Sequence, residues 1–449
     1  MNLQWLAPHL KRWLGGWDRF WFSPADPTVL GAVRIVVGAV TFFTLACYSP
    51  HLQELMGEDA WVDLELRREQ VHDSPIASPG LEWGYFDDRY RPPQNDVERA
   101  YFESYQSKWG TPPPLPYPTS AREVAEIDAY MSRWGADPRL LRGKGQPVWS
   151  VWFHIYDPSW MAVAHGAIVV CSLMFFLGLA TRFTSVLTWF GALSYIHRSP
   201  PSLFGVDTMM TVLLLYLMIG PSGAALSLDR LVARWWARKR GLPEPAVQPS
   251  VTANFALRLI QIHVCIIYLS AGLAKLQGQT WWTGVAPWGT LANYEYAPMN
   301  VPAYLGVLRW LARTRWLFEA TMTIGAVGTL VFEIAYPFVI WRPSFRTTWL
   351  WLAALFHLGI GMFMGLRTFS LMMMAFNMAF LRPQTVHWAI QKMTPRAWRA
   401  PEAAPASVPV AAAETPRQEE AIRAAATGVR PEKLAPKPVV AVTPAKRKR

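Results

Sequence analysis

The stretch "IIYLSAGLAKLQGQTWW", residues 266–282, runs apolar for two helical turns, places Lys275 among small residues and closes on Trp281 and Trp282. An ionisable side chain in such a run is costly unless it is paired or turned toward a cavity, so it is a candidate for function. Projected on a helix at 100° per residue, Arg258, Gln261, Cys265, Tyr268, Gly272 and Lys275 share a sector of about 100°. Two roles suit the lysine. Near the end of an apolar helix it can snorkel to the lipid headgroups along its methylene stem. In a partly dry cavity desolvation favours the neutral amine, which is the form a general base requires.

Other ionisable residues interrupt apolar runs. Asp207, in "HRSPPSLFGVDTMM", opens one of them, where a first-turn carboxylate suits the helix dipole or pairs with Lys275 or Arg198. Glu319 and Glu333 stand fourteen residues apart, about 40° on the wheel, and Glu333 precedes Pro337, whose ring frees a backbone carbonyl. His357, in "FHLGIGMFMGLRTFS", is suited to a hydrogen bond between helices or to catalysis, and His165 and His263 are similar. The chain has no HExxH or Cys pair to hold a metal, no GxSxG nucleophile elbow and no glycine-rich phosphate loop. No metal is therefore expected, and the three cysteines imply no disulfide framework.

The elements that must position these residues follow from composition. The chain has 449 residues, 52% hydrophobic and only 16% charged, against about 25% charged in ordinary soluble proteins. It reads as an all-α integral membrane protein, a polytopic helical bundle. Eight spans are expected, over about 29–48, 162–180, 183–197, 204–220, 254–275, 318–341, 347–365 and 367–382. Placing both termini in the cytoplasm gathers the lysines and arginines of the short loops on that side. The same topology makes residues 49–161 one external insertion, with a short helix over "SAREVAEIDAYMSRWG" capped by Ser120. A second external loop, 276–317, is rich in Trp and Tyr, as suits the headgroup level.

Residues 1–28 form an amphipathic segment with no cleavable signal pattern, and 391–449 a basic Pro/Ala-rich tail expected to be disordered. The net charge of +12 lies largely in that tail and in "RLVARWWARKR", which flank membrane spans. Nucleic acid is not an expected partner; membrane lipid is.

Four stretches together resemble the horizontally transferred transmembrane domain family, the bacterial relatives of vitamin K-dependent gamma-glutamyl carboxylase. They are "DPTVLGAVRIVVGAVTFF", "LGLATRFTSVLTWFGALSYIHRSPPSLFGVD", "RLIQIHVCIIYLSAGLAKLQGQTWWTGVAPWGTL" and "FHLGIGMFMGLRTFSLMMMAF", and the likeness covers about residues 18–390. It implies a multi-pass protein of the bacterial inner membrane. The family's lysine in an "AG..KL" context deprotonates reduced vitamin K, and that lysine matches Lys275. A span-embedded histidine matches His357. A second histidine, associated with carboxylation, falls near Asp207, and an aspartate cannot reproduce an imidazole's donor and cationic forms.

The resemblance thus implies a carboxylase or quinol epoxidase that uses reduced vitamin K or menaquinone, a lipid-soluble quinol, with a peptide or protein as a further substrate. Lys275, His357 and Asp207 would be its catalytic residues, and Arg258, Gln261, Tyr268 and Trp282 would bind substrate. The alternative is a non-catalytic membrane protein that binds a lipid or isoprenoid, or assists maturation or export of a partner.

Overall fold

The computed structural model describes residues 6–73, 75–77, 92–110, 112–113, 117–135, 137, 141–144, 148–293, 299 and 301–393. The chain divides into two compact units, 1–388 and 389–449, and of the second only 389–393 are described. The tail expected to be disordered therefore lies almost wholly outside the described residues.

A helix lies over most of each of the eight expected stretches. These helices are α2 (Thr28–Cys47), α7 (Pro158–Leu177), α8 (Thr181–Arg198), α9 (Gly205–Ile219), α11 (Val251–Leu276), α15 (Arg315–Val339), α16 (Pro343–Phe363) and α17 (Arg367–Met378). Four helical stretches are long and apolar enough to cross a membrane: Thr28–Met56, Pro158–Leu177, Val251–Leu276 and Arg315–Val339. The apolar α9 has only 15 residues. This is a helical membrane protein.

Local chemistry explains where the long helices begin and end. Asp157 accepts from the backbone N–H groups of Ser159 and Trp160, and Pro158 supplies the first turn of α7, whose missing donor costs nothing there. The same helix stops at Gly178, left-handed at φ 71°. Ser250 caps α11 through the N–H of Ala253.

The remaining helices are shorter. The N-terminal α1 (Leu6–Phe22) ends against α11, where Asn254 and Arg258 donate to its last carbonyls at Phe20 and Trp21. The insertion holds α3 (Leu52–Met56), α4 (Leu64–Asp73), α5 (Asp96–Trp109), α6 (Ala121–Trp134) and a two-stranded antiparallel ladder, β1 (Pro75–Ala77) with β2 (Leu141–Lys144). Ser120 caps α6 as its sequence predicts, while α5, capped by Asn95, was not expected. After α9 comes α10 (Leu228–Lys239); α12 (Gln279–Trp282), α13 (Ala286–Leu291) and α14 (Pro302–Arg313) then pack on α15, and α18 (Pro383–Met393) follows α17.

The long helices pack in two groups. In one, α2 packs on α7, and α8 lies between α7 and α9. In the other, α11 packs antiparallel on α15, and α16 joins α15 to α17. The groups are linked by α17, which touches α2, α9, α11 and α16, and by α9, which also packs on α11. Small residues permit the close approaches: a Cβ on Gly38 of α2 would stand 2.7 Å from the Cα of Phe176 in α7. At Gly272 of α11 it would stand 2.7 Å from Ile334 and 3.2 Å from the Cβ of Glu333, so that glycine brings α15 against α11.

Candidate active site in an apolar cavity

The residues that α11 and α15 bring together pair in antiparallel order. Gly272 meets Glu333 and Ile334, and below them the Tyr268 ring lies 4.2 Å from that of Tyr336. Just above Gly272, the Lys275 ammonium donates to both carboxylate oxygens of Glu333 at 2.8 Å. The carboxylate is 5% exposed and the lysine side chain 25%. Lys275 is half of an ion pair, and about 27 Å of α15, from Arg315 to Glu333, continues past the pair at 1.5 Å per residue. Over that outer part of α15 fold α12, α13 and α14.

Beside the ion pair opens a cavity of about 530 Å³ lined mostly by apolar side chains of α11, α12, α13, α15, α16 and α17. Lys275, Glu333, Tyr268 and His357 all face it, with Trp281, Thr290, Thr329, Phe356 and Met373 among its walls. His357 is 2% exposed. Its Nε2 meets the Tyr268 hydroxyl at 2.8 Å, and its Nδ1 is buried without a partner.

The surrounding network assigns the histidine tautomer. Asn377 donates from Nδ2 to the carbonyl of Met373 at 2.8 Å, which fixes its amide orientation. Its Oδ1 then accepts from Tyr336 at 2.5 Å, and its second Nδ2 proton goes to the Tyr268 oxygen at 3.1 Å. The Tyr268 proton is left to donate to Nε2 of His357. A neutral imidazole accepting at Nε2 carries its proton on Nδ1. His357 thus lines the cavity beside the ion pair, and its Nδ1–H is a buried donor with no partner among the described residues.

The other expected site residues lie elsewhere. Asp207, 5% exposed, accepts from the N–H of Phe204 at 2.7 Å and caps its own helix; it is not among the cavity-lining residues. Nor does it pair with Arg198, which donates to the carbonyls of Met56, Gly57 and Val62. Arg258 binds the carbonyl of Phe20 and Oε1 of Gln261, whose Nε2 donates to Ala379 at 2.7 Å. These two tie α1, α11 and α17 together outside the cavity. Trp282 is 70% exposed and donates to the carbonyl of Leu276, while its neighbour Trp281 faces the cavity.

Of the seven expected residues, Lys275, His357 and Tyr268 converge. Glu333, Tyr336, Asn377 and Trp281 complete the site. Glu333 carried a signal in its sequence, an acid inside an apolar run, whereas Glu319 is exposed and pairs with Arg315 at 2.8 Å. Asn377 carried none, being a single amide among methionines.

The histidines of α7 and α11 have protein partners. His165 is held between Tyr195 and Ser49, and His263 bonds Tyr216 and stacks on Phe376. Among the described residues no group of three or more His, Cys, Asp or Glu side chains is placed to hold a metal ion. Comparison with protein-family models, with curated proteins and with solved structures finds no match.

Proposed function

We propose that this is a multi-pass protein of the bacterial inner membrane, with eight spans and cytoplasmic termini, which takes the oxygen-bearing head of a lipid-soluble hydroquinone into the cavity at Lys275. The observation that carries the proposal is the Lys275–Glu333 pair lining one apolar cavity together with His357, whose Nδ1 lies just behind its wall without a partner among the described residues. Apolar walls suit a ring and its hydrocarbon tail, the imidazole N–H suits an acceptor oxygen, and the ion pair suits a hydroxyl proton. The resemblance to the carboxylase relatives adds the chemistry: reduced vitamin K or menaquinone supplies a hydroxyl to be deprotonated, and a quinol with dioxygen gives quinone epoxide and water.

The chain's own part is proton handling. Bidentate to Glu333, Lys275 rests as an ammonium and holds no lone pair. An apolar ligand that fills the cavity excludes water, and a dry site favours the neutral arrangement, amine with carboxylic acid, over separated charges. Glu333 then stores the proton and Lys275 becomes the base. The Nδ1–H of His357 orients the ligand oxygen; Asp207, capping its own helix, takes no part.

Membranes containing the protein, supplied with reduced menaquinone or vitamin K and oxygen, should form epoxide, and Lys275→Ala should abolish it. Epoxide formation that survives Lys275→Ala would remove the base. The resting ion pair itself favours a second role, non-catalytic binding of a lipid or isoprenoid head by a permanently charged lysine. That alternative predicts saturable quinol binding with no product from the wild-type protein.

A further inference from the structure

A second cleft, of about 350 Å³, opens where α15 ends, α16 begins and α17 hands over to α18. It is lined by Arg346, Arg382, Thr347 and Thr385 on one side and by apolar residues that include Leu350 and Trp351 on the other. Arg346 lies within electrostatic reach of Arg382 and also of Arg258. Like charges gathered this way repel one another and would normally be offset by an acid. Among the described residues no carboxylate forms an ion pair with Arg346 or Arg382. Arg346 has only two long contacts, 3.4 Å each, to the carbonyls of Ile340 and Trp341, at the limit of a hydrogen bond. Most of its donors are unused, and the Arg382 side chain is exposed.

The apolar side of the cleft continues along α16. Trp351, Leu355, Leu358 and Met362 are all exposed, and their spacing of four, three and four residues puts them on one face. A groove with two guanidiniums and two hydroxyls at its head and an apolar track below it matches an amphiphile with an anionic head.

We propose that this cleft binds a phosphate group, and that an anionic phospholipid supplies it, its head held by Arg346 and Arg382 and one acyl chain lying along α16. Guanidinium donors match phosphate oxygens in pairs, and the lipid would relieve the repulsion between the arginines. The arginine head of the site lies outside the cavity at Lys275, though Leu355 of the acyl track also lines that cavity, and the site does not rest on the quinol proposal.

The test uses the full chain, purified and delipidated in detergent, titrated with phosphatidylglycerol or phosphatidylcholine and followed by native mass spectrometry. The wild-type protein should bind one phosphatidylglycerol in preference to phosphatidylcholine. R382Q, at an exposed position that the fold does not need, should weaken that binding about tenfold, as expected when a charge-assisted contact is lost. R346K/R382K, which keeps both charges and removes the paired donors, should weaken it too, while R342Q, outside the cleft, should leave it unchanged. Unaltered phosphatidylglycerol affinity in R382Q and in R346K/R382K would overturn the site. Displacement of the lipid by inorganic phosphate at equal concentration would overturn the lipid as source, because the acyl track would then contribute nothing.

Discussion

At the scale of single residues, the chemistry rests on a lysine and a glutamate that meet across two helices. Each alone would be a costly charge in an apolar setting, and together they satisfy one another with two 2.8 Å contacts. Removing one partner leaves the other charged and buried. Glu333→Gln and Lys275→Met should each lower stability by about 3 kcal/mol, whereas Lys275→Met with Glu333→Leu should recover most of the loss. Thermal unfolding in detergent checks this, and a double-variant loss equal to the sum of the two single losses would show the pair to be uncoupled. Lys275, Tyr268 and His357 were legible in the sequence because polar groups are rare in apolar runs. Their partners were not: which acid faces which lysine depends on the register between two helices far apart in the chain.

At the scale of elements, glycine sets that register. With no side chain, Gly272 lets α15 approach until Glu333 stands beside the turn that carries Lys275. Gly38 does the same for α2 and α7, and there the obstacle to a larger residue is backbone. Gly38→Val should therefore push these helices apart and destabilise the protein by about 1–3 kcal/mol, read as a lower unfolding midpoint. Gly166→Val in α7 should be mild, since a Cβ there meets nothing within 4 Å. The helices themselves were visible from apolar run length and from Ser120 as a cap. Arg258 and Gln261 misled as members of a polar stripe, because a wheel shows which face a residue occupies and not which neighbour waits there. The neighbours are the last carbonyls of α1 and the end of α17.

At the scale of the whole molecule, the starts of α2, α11 and α18 are tied by a few polar contacts. Ala25 and Ser250 form an antiparallel bridge, and Asp26 accepts from the N–H of Thr28 at 2.8 Å and meets His387 of α18 at 3.4 Å. Partial burial pushes the Asp26 carboxyl up, but its contacts with Thr28 and His387 outweigh that and hold it below the usual carboxylate range. A group whose folded value is depressed stabilises the fold above its unfolded value, and the contribution is lost as pH falls through the lowered one. Asp26→Asn should therefore lower the unfolding midpoint at neutral pH, and the gap from wild type should close as pH falls below the ordinary carboxylate range. A gap that widens on acidification would contradict the assignment.

By itself the sequence determined that this is a helical membrane protein, because apolar run length and scarcity of charge are local properties of the chain. It also determined which rare polar side chains sit in those runs. Only the tertiary structure decided which of them meet. Asp207 and Lys275 both close or open apolar runs, yet one caps its own helix and the other pairs across a gap that Gly272 opens. The physical reason is that hydrogen bonds and ion pairs act over about 3 Å, and contacts at that distance follow from how helices pack, which no single run encodes.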